Sequence, residues 1–500
     1  MSYKIDLSEL ERDGRSMTQE LVRRFAEAID DGRLGPGEKL PPTRELARLA
    51  DINPLTAARV YKRLRELGYL SATVGRGTFV RSLPPFASDE QGDDWQAVAL
   101  PAPLPSARER LLQDFMNMAM RGGDDLIMLG IGLPPTDALP ARELAEATAA
   151  VFAEQGGAAL AYTDVEGLPA LRAELGLLGQ KRGFAADGEE IIVTTGGRQA
   201  IDLVARTVVR EDDVVCVESP SFIGIPSSLE AQRARVIGIP SDADGLDVDQ
   251  LERVLARHPV KLVALQSVSQ NPTGRHLHPE RGERLLELAR ERSFFVLEDG
   301  VYSQLTFDGD APPPLRSRAP GHVIYVDSLS KTVGGGLRIG WIAARGPVFN
   351  RLVALKTATD LNSSALDQRI AARYLSTGSH DRLLAETRSL YRARAEAVMQ
   401  ALERHLPGEY DAIEPLGGHS LWLTLRRRVD ERALYAEALR HGVAFTPGHA
   451  VLADERTRPS LRLTFSVENE ERLDEGVRRL AAALRAVLRA DRFSATAPVA

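Results

Sequence analysis

The 500-residue sequence predicts an α/β protein in two parts, an N-terminal winged helix-turn-helix over residues 14–82 and, after a linker over 83–107, a larger unit over 108–490 with a mainly parallel sheet and a smaller α+β lobe. Three observations carry this expectation. Two short helical patterns flank a tight turn and lead into a glycine-tipped pair of β-prone runs. A proline-rich stretch without periodicity follows. Beyond it, apolar runs alternate with helical patterns at the spacing of a sheet covered by helices on both faces. The length agrees, since typical domain sizes divide it into roughly two to four units.

Taken in order, Ser16 and Gln19 form a capping box for the first helix, whose apolar face is Leu21, Val22, Phe25, Ala26 and Ile29, with Gly32 as its stop. Thr43 is placed as the cap of a second helix carrying Leu46, Ala47 and Ala50. Asn53 caps a third, with Pro54 at its first position, Val60, Leu64 and Leu67 facing inward and Gly68 at its end. The runs on either side of Gly75-Arg76-Gly77 make a hairpin, the wing. Pro84, Pro85, Pro101, Pro103 and Pro105 mark the linker. Strands are expected at Glu190–Thr194, Val214–Val217, Leu262–Gln266, Phe294–Glu298 and His322–Val326. From about Thr387 onward, helical patterns mix with the alternating segments Leu421–Leu425 and Leu461–Phe465, which predicts the smaller lobe.

The formal charge of −7 conceals an asymmetry: eight Lys/Arg against three Asp/Glu between Thr43 and Arg81 give a local +5 and leave −12 elsewhere. A basic patch on an acidic chain fits one local polyanion site, though charge scatter alone explains the count equally well. The single cysteine, Cys216, excludes an intramolecular disulfide and lies in an apolar run, where a packing role is expected. No basic-then-apolar leader occupies Met1–Leu10 and no run of about 18 apolar residues occurs, so the expectation is a cytoplasmic protein without a membrane span. No metal site is expected.

The chemistry concentrates at a few positions. Ser328-Leu-Ser-Lys331, followed seven residues later by Arg338, offers a lysine of the kind that forms an imine with an aldehyde and moves protons at a substrate carbon. Asp299 ends an apolar strand in Glu298-Asp-Gly-Val-Tyr302, where open α/β sheets place ligand groups. Thr194-Thr-Gly-Gly-Arg-Gln-Ala200 follows a strand and opens a helix, so the amides near Gly197 and Arg198 suit a phosphate. Singly, each feature has a plain structural meaning: Asn271-Pro-Thr-Gly274 is a turn, an aspartate after a strand is a helix cap, Phe222 is core and Arg462 is a charge at a strand end. The joint spacing, 28 residues from Asn271 to Asp299 and 32 from Asp299 to Lys331, argues against coincidence.

From about Asp124 to Leu484 the sequence resembles the fold-type-I aminotransferases, with these motifs in the family order. The resemblance implies pyridoxal 5'-phosphate as cofactor, with Lys331 as the Schiff-base lysine, Asp299 at the pyridine nitrogen, Tyr302 and Asn271 at the phenolic oxygen and Phe222 stacked on the ring. It further implies a phosphate held by Gly197, Arg198, Ser328 and Arg338 and by Tyr162 of a neighbouring subunit, hence a homodimer. Arg462 would clamp a substrate carboxylate, with Gly132 beside it. Gly334-Gly-Gly336 departs from the family, which usually has a proline there.

Gly35-Pro-Gly-Glu-Lys-Leu-Pro-Pro-Thr-Arg44, Tyr61-Lys-Arg-Leu-Arg-Glu-Leu-Gly-Tyr-Leu70 and Gly75-Arg-Gly-Thr-Phe79 resemble GntR-type winged helices. What this implies is a DNA face with Arg44, Thr56 and Arg76 at phosphates, Gly77 in the wing, and Arg59, Lys62 and Arg63 on or near the recognition helix. Asn53-Pro-Leu-Thr56 stands where a Ser/Thr-Arg-x-Thr run is common. The whole chain resembles the MocR-type regulators, which implies a domain-swapped homodimer on a double-stranded DNA operator, sensing pyridoxal phosphate or an amino acid or amine bound to it. The alternative is a metabolic aminotransferase moving an amino group between an amino acid and a 2-oxo acid, for which Asp299-Gly-Val-Tyr302 has the look of working machinery.

Overall fold

The computed structural model describes residues 17–80 apart from 31–32, 36, 67–68 and 74–76, positions 113 and 117, and residues 125–495 apart from 185–187, 310 and 454–457. The chain divides into two compact units, residues 1–103 and 104–500. The expectations placed on Ser16, Gly32, Leu67, Gly68, Gly75, Arg76 and the linker at 83–107 lie outside the described residues.

The first unit is built from α1 (Met17–Asp30), α2 (Thr43–Leu49), α3 (Pro54–Glu66), β1 (Leu70–Thr73) and β2 (Gly77–Val80). Leu21, Phe25, Leu46, Ala57, Val60 and Leu64 are buried at its centre, one apolar stripe from each helix. The Phe25 and Tyr61 rings meet edge to face at 6.1 Å, and the Tyr61 hydroxyl, inside this core, donates to the Pro41 carbonyl at 2.8 Å. The hairpin is antiparallel with Leu70 opposite Val80 and Thr73 opposite Gly77, whose φ of +119° suits the residue type. Asn53 caps α3 as expected, its Oδ1 accepting from the Leu55 amide at 2.8 Å. Thr43 does not cap α2. Pro42 holds that position with φ −55° and ψ 148°, no side chain caps the helix, and Thr43 is its first residue. The ring fixes only φ, and the extended ψ of Pro42 makes it the entry residue, so the helix begins at Thr43 itself, one residue earlier than a threonine cap requires.

In the second unit the strands are β3 (Ile127–Met128), β4 (Ile191–Thr194), β5 (Val214–Ser219), β6 (Arg235–Asp242), β7 (Gly245–Leu246), β8 (Val260–Leu265), β9 (Phe295–Asp299), β10 (Val323–Ser328) and β11 (Gly340–Ala343). Eight of them form one sheet in the order β4-β11-β10-β9-β8-β5-β6-β7. The five expected strands are all present within it. Pairings from β10 across to β6 are parallel, β7 adds an antiparallel edge, and β11, which the apolar pattern did not reveal, runs antiparallel between β10 and β4. Every residue of β4, β5, β10 and β11 is buried, as a sheet covered on both faces requires.

The smaller lobe holds β12 (Tyr410–Ile413), β13 (Ser420–Leu425), β14 (Val443–Ala444), β15 (Thr446–Pro447) and β16 (Ser460–Thr464), packed against the helices Ser379–His405, Glu431–Arg440 and Glu470–Ala495. Its sheet order is β12-β13-β16-β15, all antiparallel. The lobe also recruits β3, which pairs in parallel with β14, so residues just beyond 125 belong to it although they lie far away in sequence. Among the described residues no helix is long and apolar enough to cross a membrane.

Cys216 sits in β5 with no exposed surface, and burial pushes its thiol up to about 12. A thiol reagent at pH 8 should therefore leave the folded protein unlabelled and titrate one thiol only after unfolding; rapid labelling of the native chain would contradict this placement.

Candidate functional site

The carboxyl ends of β4, β8, β9 and β10 converge on one edge of the large sheet, and the strand order places there the residues that chemistry singled out. After β4 the chain turns through Gly196, with φ +90°, into the helix Gly197–Val208, whose N-terminus has no side-chain cap. The first amides of a helix have no partner within it and carry its positive dipole end. Arg338, itself at φ +52°, lays its guanidinium across this turn, with Nη2 donating to the Thr195 carbonyl at 2.9 Å. The packing admits only glycine here: a Cβ on Gly340 would lie 2.4 Å from the Gly196 carbonyl carbon, and one on Gly196 2.7 Å from Arg338 Nη2. Gln199 braces the turn, accepting from the Thr195 amide at 2.6 Å and donating to Asp360 at 2.8 Å. The result is a cationic cup of backbone amides suited to a phosphate.

Ser328 closes β10 beside this cup. Its Oγ lies 2.9 Å from the Ile339 carbonyl and 2.8 Å from the Oγ of the half-buried Ser330, so this hydroxyl is engaged within the fold. Beneath, Asp327 accepts from the Ser328 amide at 2.7 Å, from the Tyr325 hydroxyl at 2.8 Å and from Arg182 at 3.2 Å. Burial pushes the Asp327 carboxyl up to about 7 against the pull of Arg182.

Lys331 Nζ donates to the Gly132 carbonyl at 2.7 Å, and burial, helped by the charge of Arg462 and opposed by Asp299, lowers its pKa to about 8. Asp299, at the end of β9, accepts from Gln266 Nε2 at 2.8 Å and from the Val301 amide at 3.2 Å; burial raises its carboxyl to about 6. Gln266 also receives the Asn271 amide at 2.8 Å, so one side chain ties the aspartate to the asparagine. Tyr302 is buried with its hydroxyl 2.5 Å from His419 Nε2. Phe222 is half-buried on the same cleft.

Arg462, on β16, donates to the Gly130 carbonyl at 2.6 Å, Thr446 Oγ1 at 2.9 Å and Asn271 Oδ1 at 3.2 Å, and its buried Nε has no partner. All three acceptors are neutral. A cleft-lining guanidinium without a carboxylate among the described residues is a ready receptor for an anionic ligand.

The structure thus brings Lys331, Tyr302, Asn271, Phe222, Arg462 and Gly132 to the lining of one cleft; Asp299 is linked to it through Gln266 and Asn271, and Gly197, Ser328 and Arg338 meet at the turn after β4. Tyr162 is 84% exposed and is not among the residues lining this cleft. Gln266, His419, Ser330, Thr446 and Asp327 escaped the sequence reading. The available signals were a polar residue ending an apolar run at Gln266 and a histidine opening another after Gly417-Gly418. In the first unit, Arg44, Arg59, Lys62, Arg63 and Gly77 are exposed and Thr56 is half-buried, while Ala57, Val60, Tyr61 and Leu64 turn inward.

Pyridoxal 5'-phosphate needs a lysine amine that readily sheds its proton, an acid for its ring nitrogen, a hydroxyl for its phenolic oxygen and a cup for its phosphate. The donor set meets each need, and the uncapped helix N-terminus and orphaned Arg462 Nε leave room for anionic groups. These features define a pyridoxal-phosphate domain of aminotransferase type. The chain belongs to the family described as aminotransferase class I and II, whose model matches residues 124–480, and residues 17–80 match the family of bacterial regulatory proteins named gntR. That fusion is the MocR-type architecture, and the cofactor is pyridoxal 5'-phosphate.

Similar proteins include a 2-aminoadipate transaminase of Thermus thermophilus, 34% identical over 75% of this chain and 94% of its own, and the HTH-type transcriptional regulator TauR of Rhodobacter capsulatus, 28% identical over 94% and 97%. Among solved structures, the α-aminoadipate aminotransferase LysN of Thermus thermophilus, complexed with N-(5'-phosphopyridoxyl)-L-leucine, superposes with a TM-score of 0.70 at 32% identity, covering 77% of this chain and 96% of that one.

Two outcomes are expected. Because the Lys331 pKa falls from 10.5 to about 8 on folding, the unfolded chain binds the extra proton between these values, and stability gained above pH 10.5 is lost as pH falls through 8. In protein stripped of cofactor, Lys331→Met should therefore stabilise by about 3 kcal/mol more at pH 7 than at pH 10.5, read by denaturant titration of both proteins; a pH-independent difference would refute the lowered pKa. Arg462→Met should weaken the response of the cofactor spectrum to amino acids about 10- to 100-fold while sparing simple amines, and equal loss for both would refute a carboxylate role.

Proposed function

We propose that this chain is a DNA-binding transcription regulator that holds pyridoxal phosphate at Lys331 and responds to an amino compound. What supports the reading best is the combination in one chain of an exposed Arg/Lys face on a GntR-type α3 with an amine-reactive cleft whose groups are all present. Arg44 and Thr56, with Arg76 and Gly77 of the wing, would contact DNA phosphates, and Arg59, Lys62 and Arg63 would lie at or near the groove. The location that fits such a role is the cytoplasm. The exposure of Tyr162 supports a homodimer in which it reaches the neighbour's phosphate cup.

In this reading the bound cofactor supplies an aldehyde and an electron-withdrawing ring. The residues do the rest. Lys331 releases its proton near neutral pH and later holds or returns one at the ligand Cα. Asp299 holds a proton at the ring nitrogen, Tyr302 and Asn271 hydrogen-bond the phenolic oxygen, and Phe222 covers the ring face. Amides of Gly197 and Arg198, the Ser328–Ser330 pair and Arg338 hold the phosphate. Arg462 takes the ligand carboxylate. Occupation of the cleft then biases the arrangement that fits DNA half-sites, as any ligand with differential affinity does.

The second reading, a metabolic aminotransferase, is favoured by one observation: Asn271, Asp299, Tyr302, Lys331 and Arg462 are all in place. Titrating amino acids and amines into the purified protein, while following the cofactor spectrum and binding to DNA from beside its own gene, separates the two. Parallel changes in both signals support the regulator; full cycling to the pyridoxamine form with a 2-oxo acid, without any DNA binding, supports the enzyme. Arg44→Ala should weaken binding to every DNA sequence alike, about tenfold, with the cofactor spectrum intact; wild-type affinity in that variant would remove Arg44 from the interface.

A further inference from the structure

We infer that His419 is a positioning residue for the cofactor site: it donates Nε2–H to the Tyr302 oxygen and so leaves the tyrosine's own proton for the cofactor's phenolic oxygen. This rests on the reading that places pyridoxal phosphate at Lys331 and Tyr302.

The geometry leaves few choices. His419 and Tyr302 are 3% and 4% exposed, their rings meet edge to face at 4.5 Å and 89°, and Nε2 lies 2.5 Å from the hydroxyl. A phenolic oxygen carries one proton and accepts two hydrogen bonds. The Asn271 side chain supplies one of the bonds that stabilise this oxygen. If Tyr302 gave its proton to His419, the imidazole proton would sit on Nδ1, which is buried without a partner among the described residues. A buried N–H without an acceptor is the rarer and costlier orphan. The opposite tautomer turns Nδ1 into a lone pair and makes Nε2–H the donor, which frees the Tyr302 proton to point into the cleft.

Two surroundings fix this state. Burial, helped by Lys331 and Arg462 facing the ring, holds its pKa well below the usual histidine range, so the ring stays neutral. Gly132 gives the ring its space: a Cβ there would lie 2.1 Å from His419 Cε1, and the same residue's carbonyl receives Lys331 Nζ. The ring is anchored from behind, where the His419 carbonyl receives the Phe465 amide at 3.0 Å at the start of β13.

The test uses the full-length protein loaded with pyridoxal phosphate and reads the pH midpoint of its visible absorption band. Tyr302→Phe should move the midpoint by about one pH unit, the size of one lost charge-assisted hydrogen bond. His419→Met should move it the same way by most of that amount, His419→Gln, which keeps an N–H within reach, should restore it, and adding His419→Met to Tyr302→Phe should move it no further. Should the Met variant fail to fold, His419→Asn, too short to reach Tyr302, takes its place against His419→Gln. A midpoint unmoved by His419→Met or His419→Asn, or shifts that add in the double variant, would overturn the inference while leaving the cofactor site standing. A wild-type protein that shows no visible band after loading would remove the site itself, and this role with it.

Discussion

The contact on which the cleft depends is the close approach of Gly340 to the Gly196–Gly197 turn. β11 runs antiparallel between β4 and β10, with Gly340 opposite Thr194 on one side and Ser328 on the other. A side chain at Gly340 would collide with the Gly196 backbone. Without that approach the helix N-terminus after β4, the end of β10 and Arg338 would not share one edge, and the cup would have no floor. The second layer of the same constraint is electrostatic. Asp327 is buried immediately before Ser328, neutralised by Arg182 and hydrogen-bonded to Tyr325, and its Oδ1 pins the backbone that leads to Lys331.

Charge in the cleft is deliberately unbalanced. Among the described residues, the carboxylate that acts on Lys331 is Asp299, whose affinity for protons is itself raised by burial, and the hydrogen-bond acceptors of Arg462 are all neutral. Desolvated charges persist only when partnered. Here the guanidinium is held by two oxygens of neutral backbone and hydroxyl groups and one amide oxygen, enough to fix its plane without cancelling its charge. An anionic ligand would complete the arrangement around Arg462.

Much of this was legible in the sequence, and for identifiable reasons. Asn53 and Pro54 announce a helix start because capping and ring geometry act within a few residues. Asn271, Asp299 and Lys331 were legible through their joint spacing and order, since each alone also reads as a turn, a helix cap or a surface charge. Thr43 misled, since a proline can serve as the entry residue itself. β11 was missed because Gly340-Trp-Ile-Ala343 is too short to show a period, and β3 because its partner β14 lies more than 300 residues away in the chain. Gln266, His419 and Asp327 act through contacts across 33, 117 and 145 residues, and no local pattern encodes such pairs.

The division of the cleft between two cores has a consequence for what the protein can distinguish. Asp299 ends and Lys331 follows strands of the eight-stranded sheet, while Arg462 lies on the small antiparallel sheet and His419 directly precedes it. If these residues take the roles proposed for them, a monofunctional amine would engage groups of one sheet and an amino acid groups of both. Occupancy would then depend on the distance between two chemical groups on one molecule. The cleft would work as a logical conjunction, answering fully only when both groups arrive together.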